Sequence, residues 1–298
     1  MTLISSEIAE IAKHLKQLHI SHPAADDAKT GFDWIMNYGR LGRSSSAMLL
    51  SGPPGSGKTS TVHSWMAGYQ PIRGAQADER PVAYAKITGG SVTYRSIAMD
   101  LLNAFQEDPI IVRRDTQQTL RQRIAYYARV LKTSVLFVDE AQLIVSSHNQ
   151  KVIREITEWL KTLLNDVESG FVFCGSDGFT DLFKTNTSLH RRCRVAVEMA
   201  PYGRRSEEYA SFLATWEHHA TVLKPIGLPD PYWSHRLHVA TDGFIGITAD
   251  LLCDAAIHAL EHGAGAIRLE DLAAVHERRF PGSTLKKTNP FLPESGAR

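Results

Sequence analysis

The chain has 298 residues, 43% of them hydrophobic and 22% charged, with a formal net charge of +1. That is enough apolar content for one large or two modest folded domains, and too little net charge for a polybasic binder. The three cysteines, Cys174, Cys193 and Cys253, are too few and too far apart for a disulfide framework or a zinc site. The first residues lack the basic-then-apolar order of a secretion signal, and no stretch reaches the ~20 apolar residues that span a bilayer. A reducing cytoplasm is the expected location, with no membrane.

Ile4, Ile8, Ile11, Leu15 and Leu18 recur at steps of three and four, the stripe of a first helix that His22-Pro23 ends. A second, short helix carries Phe32, Ile35 and Met36, and residues 39–46 read as a loop. Apolar runs then alternate with helical patterns. The runs are Ala47–Leu50, Val82–Ile87, Val135–Val138 and Phe171–Cys174, with a weaker fifth at Arg194–Met199. The helices fall near 58–68, 95–106, 116–132 and 150–166. This alternation predicts a parallel sheet covered on both faces, an α/β fold. Residues 203–278 carry four helical stripes and no strand signal, around Tyr209–Trp216, Trp233–Ala240, Ile247–Leu260 and Leu269–Val275. The end, from residue 279, reads as a flexible tail.

Residues 52–59, GPPGSGKT, fit G-x-x-x-x-G-K-[ST] between an apolar strand and a helix. Gly52, Pro53, Pro54, Gly55, Ser56 and Gly57 form a loop whose backbone wraps phosphates. Ser60 lies in the first helical turn, where the helix N-terminus adds a favourable dipole. Lys58 is expected to reach the β- and γ-phosphates of ATP, and the Thr59 hydroxyl to ligate Mg²⁺. About 80 residues downstream, VLFVDEAQ ends a strand in two carboxylates: Asp139 for the Mg²⁺ shell and Glu140 to orient or deprotonate the attacking water. Ser176, after the fourth run, stands where a polar group would touch the γ-phosphate or the water. Arg191 and Arg192 precede the fifth run and Arg194 opens it, and an arginine there would stabilise transition-state charge in a neighbouring subunit.

In this order the motifs resemble the AAA+ ATPases: phosphate loop, acidic pair, polar sensor, arginine, helical lid. The segments HPAADDAKTGFDWIM, SDGFTDLFKTNTSLHRRCRVAVEMAPY, EEYASFLATWE and ATDGFIGITADLLCDAAIHALEHGAGAIRLEDL resemble the TniB/TnsC family of DNA-transposition ATPases. The resemblance implies a helical lead-in over 1–45, an ATPase core with a five-stranded parallel sheet over 46–202, a helical lid over 203–278 and the tail over 279–298. It further implies an oligomer, ring or helical filament, that coats duplex DNA without reading sequence and engages a DDE-type transposase. The target selector stays open: a TniQ-like adaptor, a CRISPR effector, a resolution-site protein or no partner at all. Arg191 or Arg192 would act across the subunit interface. In ring-forming relatives the segment after the second strand faces the central pore, which makes Lys86, Thr88, Thr93, Tyr94 and Arg95 the DNA candidates. The basic segment with Arg113, Arg114, Arg121 and Arg123 is a second possibility. One departure stands out. Many AAA+ proteins open the third lid helix with an arginine, whereas GFIGITAD offers Ile247 and Thr248. That fits a slow switch better than fast turnover. Alternatives are a helicase- or initiator-loader-like ATPase and a nucleotide-gated signalling scaffold.

Overall fold

The computed structural model describes residues 6–41, 46–74, 78–105, 115–146, 149–176, 178–279 and 289–292. In chain order the elements are α1 (Ser6–Gln17), α2 (Pro23–Arg40), β1 (Ala47–Ser51), α3 (Lys58–Met66), β2 (Val82–Lys86), α4 (Tyr94–Ala104) and α5 (Gln117–Val130). Next come β3 (Val135–Asp139), a 3₁₀ turn (Ala141–Val145), α6 (Gln150–Asp166), β4 (Gly170–Gly175), α7 (Phe179–Thr185), α8 (Thr187–His190) and β5 (Cys193–Glu198). The last are α9 (Glu207–His219), α10 (Pro231–Thr241), α11 (Ile245–Glu261) and α12 (Leu269–Arg279). Two compact units result.

The first unit holds residues 24–54 and 58–199. Its five strands are all parallel, in the order β2-β3-β4-β1-β5. β3 and β4 are buried along their whole length, which is why they read as continuous apolar runs. Successive side chains go to opposite faces. Leu136, Val138, Phe171 and Phe173 join the core beneath α4, α5 and α6. Val135, Phe137, Val172 and Cys174 join a second core with Phe32 and Ile35 of α2 and Val62 and Trp65 of α3. At the sheet edge β5 alternates half-buried and exposed positions. Along α5, Leu120, Ile124 and Ala128 are buried, and Leu131 at its C-cap is half-buried.

The second unit holds residues 1–23, 55–57 and 200–298. Its core joins Tyr209, Phe212, Leu213 and Trp216 of α9 to Leu251, Leu252 and Ala255 of α11, Leu272 of α12, and Leu15 of α1. Glu217 pins the proline-rich connection by accepting from the backbone N–H of Ile226 (2.6 Å) and Gly227 (2.9 Å). Within this unit Gly246 N donates to Gly55 O (2.9 Å), and a side chain at Gly55 would collide with Ile247.

Three expectations need correction. The lead-in is not one segment: α1 belongs to the helical unit and α2 to the sheet unit. Nor is α2 short. Its 18 residues start at Pro23, whose fixed φ suits a first helical position, so that proline opens a helix rather than only ending one. In the tail, 280–288 and 293–298 lie outside the described residues, but 289–292 is anchored. Phe291 is buried in the helical core, and Asn289 Nδ2 donates to Ala273 O at 3.0 Å. Among the described residues, no single helix is long and apolar enough to cross a membrane.

Candidate nucleotide site

The phosphate loop leaves β1 with three glycines in backbone conformations that L side chains rarely adopt: Gly52 (φ 153°), Gly55 (φ 82°) and Gly57 (φ 91°). α3 begins at Lys58, so its first N–H groups and dipole face the loop. Lys58 Nζ donates to Gly52 O (2.7 Å) and Pro53 O (2.9 Å), holding the ammonium against the loop backbone. Burial of Thr61, Val62 and Trp65 fixes the helix that carries Lys58 and Thr59. Trp65 Nε1 donates to Asp33 Oδ1 of α2 at 2.9 Å.

Parallel pairing puts Lys86 opposite Asp139, at the C-terminal ends of β2 and β3. Asp139 is buried, and among the described residues its carboxylate receives three hydrogen bonds. Oδ2 accepts from Thr59 Oγ1 (3.0 Å) and from the Tyr84 hydroxyl (2.6 Å), and Oδ1 accepts from Glu140 N (2.8 Å). Burial, then the hydrogen bond to Asp139 and its charge, push the Tyr84 hydroxyl far up, so it remains a donor. Asp139 and Thr59 thus present hard oxygens side by side. They fit Mg²⁺, which takes one or two protein groups together with nucleotide phosphates and waters rather than a protein cage. Among the described residues no group of three or more His, Cys, Asp or Glu is placed to hold a metal ion.

Glu140 has left-handed backbone angles, φ 61° and ψ 34°, which cost a non-glycine residue about 1–3 kcal/mol. That turn separates the two carboxylates. Glu140 Oε1 lies 3.8 Å from Lys86 Nζ, and Glu140 Oε2 accepts from Gln142 Nε2. Ser176 directly follows β4, and its backbone N–H donates to Gln142 Oε1 at 3.1 Å. Asp139 ends β3, Glu140 and Ser176 directly follow β3 and β4, and Lys58 and Thr59 open the helix that the loop after β1 leads into, so all five belong to the C-terminal side of the strands, where open α/β sheets bind ligands. A cavity of about 560 Å³ opens at the other end of the sheet, lined by Arg40, Tyr69, Arg129, Lys132 and Asp166, and holds none of these residues.

The remaining candidates separate. Arg192 is tied within its own unit, donating to Leu164 O (3.4 Å) and to Asn165 Oδ1. Arg191 is exposed, and no side-chain hydrogen bond or ion pair of it occurs among the described residues. The hydroxyl and N–H of Thr88 are both taken by Asp100 (3.2 and 3.0 Å), and Thr93 caps α4. Tyr94 is half-buried against the core, and Arg95 lies over its ring at 5.5 Å. Lys86 is well exposed. Arg113 and Arg114 lie outside the described residues, while Arg121 and Arg123 are paired with Asp166 and Asp115. Sequence reasoning passed over Tyr84 and Gln142. Tyr84 reaches Asp139 across strand register, which local pattern does not show, but Gln142 stood two residues past Glu140 in DEAQ.

The family model of the bacterial TniB protein matches residues 10–200. The chain belongs to the TniB family. A search of the curated proteins returns no match. Among solved structures, the Aeropyrum pernix ORC1 protein in complex with DNA is similar at 14% identity, over 88% of this chain and 67% of that one, with a TM-score of 0.62. The Aeropyrum pernix ORC2 protein, in ADPNP–ADP complexes, is similar at 15% identity, over 95% and 69%, with a TM-score of 0.59. A Walker-type ATPase of Pyrococcus abyssi is similar at 15% identity, over 84% and 73%, with a TM-score of 0.53. The fold is that of an AAA+ P-loop ATPase.

Proposed function

We propose that this TniB-family ATPase is an ATP-dependent regulator of DNA transposition. It assembles as a homo-oligomer, ring or helical filament, on duplex DNA and engages a DDE-type transposase, with a TniQ-like adaptor as a further partner. The observation that carries the reading is the family match over residues 10–200, joined to the meeting of Thr59, Tyr84 and Glu140 on one buried aspartate.

In this reading Lys58 leaves the loop carbonyls for the β- and γ-phosphates of ATP, and the loop backbone N–H groups cradle them. Thr59 and Asp139 hold Mg²⁺, which when bound neutralises charge on the phosphate oxygens. Glu140 orients and deprotonates the attacking water, with Ser176 beside it. Arg191 from the adjacent subunit meets the γ-phosphate, so ATP completes the interface between copies. Hydrolysis is slow, because Ile247 and Thr248 stand where an arginine would assist. Thr248 is instead buried against the hydroxyls of Tyr209 (3.1 Å) and Thr241 (2.8 Å).

DNA is held through its phosphates by Lys86 and Arg95, the two cations among the five candidates. Two cations per subunit bind weakly, so affinity grows with the number of subunits engaged. Fluorescence anisotropy on unrelated duplexes tests this, with an ATP analogue and with ADP over a salt series. The reading requires tight binding with the analogue only, a steep fall with salt and little dependence on sequence. Equal binding in ADP, or strong preference for one sequence as a site-specific initiator would show, contradicts it.

A further inference from the structure

The Glu140 carboxylate hangs from a strained turn, and its exposed pairing with Lys86 cannot fix it firmly. A second group does so. Gln142 is half-buried in the 3₁₀ turn after Glu140, and both ends of its amide are engaged. Its Oε1 accepts from Ser176 N (3.1 Å), and its Nε2 donates to Glu140 Oε2. The orientation of the amide is dictated by chemistry. A backbone N–H only donates, so the oxygen must face Ser176, and a carboxylate only accepts, so the nitrogen must face Glu140. β4 is shaped for this contact. A Cβ on Gly175 would lie 2.6 Å from Gln142 Oε1 and 3.0 Å from Gln142 N, so only glycine lets the amide reach the strand end.

We infer that Gln142 is a positioning residue for hydrolysis. It aims the Glu140 carboxylate at the attacking water and ties it to the end of β4, where Ser176 senses the γ-phosphate. The inference rests on the reading of Glu140 as the base. Lys86 holds one oxygen of the carboxylate and Gln142 the other, so the amide sets the direction of the base while the lysine balances its charge.

Two variants of equal side-chain length separate positioning from packing. Gln142→Met removes both hydrogen bonds. Gln142→Glu keeps an acceptor for Ser176 N–H but turns a carboxylate towards Glu140. Steady-state ATPase assays, titration with a fluorescent ATP analogue and thermal melts are run on both, with Glu140→Gln alongside. The expected result is a fall in kcat of about tenfold or more in both, with analogue Kd and Tm close to the parent. A purely structural clamp would instead let Gln142→Glu recover the parent kcat, or would lower kcat only together with Kd and Tm. Either outcome overturns the inference while Glu140→Gln remains inactive. If Glu140→Gln hydrolyses ATP at the parent rate, the assignment of the base itself has failed, and the role of Gln142 with it.

Discussion

Lys86 Nζ lies 3.8 Å from Glu140 Oε1, so a residue proposed to hold DNA is paired with the residue proposed to activate water. The two side chains are 64% and 36% exposed, and such a pair contributes about 0–1 kcal/mol. A DNA phosphate can therefore draw Lys86 away at little cost. The expected consequence is that duplex DNA changes the ATPase rate of the parent and that Lys86→Ala abolishes the change. Rates with and without DNA, at saturating ATP, measure it. A DNA response of parent size in Lys86→Ala would separate the two sites.

Tyr84 is predicted to support magnesium through Asp139. Its hydroxyl donates 2.6 Å to the oxygen that also receives Thr59. Groups that orient a ligand carboxylate typically contribute about 10–100-fold in metal affinity. In Tyr84→Phe the Mg²⁺ concentration for half-maximal hydrolysis should rise by about tenfold. A magnesium titration of the ATPase decides, and an unchanged midpoint would limit Tyr84 to packing.

The arginines are predicted to divide their roles. Arg192 already spends its guanidinium on Leu164 and Asn165, at the C-terminal end of α6, whereas Arg191 is exposed. Arg191→Ala should cut hydrolysis by about 10³-fold or more, the scale of a finger arginine. Arg192→Ala should keep most activity and lower thermal stability. Mixing Arg191→Ala with Lys58→Ala subunits should restore part of the rate, because some interfaces join an intact loop to an intact arginine. No recovery at any mixing ratio would exclude action in trans.

Acid should weaken the helical unit through Asp271. Burial alone would raise this carboxyl, but hydrogen bonds from Arg268 and His258 outweigh it and hold it below its ordinary range. A folded pKa below the unfolded value means the stabilisation is complete above about pH 3.9 and is lost as pH falls through the folded value. Arg268 is 44% exposed, so solvent screens its share, and Asp271→Asn should cost about 1–3 kcal/mol at neutral pH. Its stability should also vary less than the parent's across the acid range. Denaturant melts between pH 2 and 6 test both statements.

The strands and the phosphate loop were legible because their signals are local. Val135–Val138 is apolar at every position since β3 is covered on both faces, and the loop glycines sit at fixed spacing. What stayed hidden depends on contacts distant in sequence. Tyr84 meets Asp139 only through strand register, and the Thr88 hydroxyl is consumed by Asp100 twelve residues on. The helices α7 and α8, of 7 and 4 residues, are too short to show a period. α2 is longer than its pattern suggests because, of its buried residues, only Phe32, Ile35 and Met36 are large. Its first half buries alanines, Ala25 and Ala28, which carry little hydrophobic pattern.

Nucleotide titration and steady-state ATPase, run together on Lys58→Ala and Glu140→Gln, test most directly the claim that the phosphate loop binds ATP while Glu140 activates water. The account predicts that Lys58→Ala loses nucleotide binding. It predicts that Glu140→Gln binds ATP like the parent and hydrolyses almost none of it. Parent-rate hydrolysis by Glu140→Gln, or parent-like ATP affinity in Lys58→Ala, would contradict it.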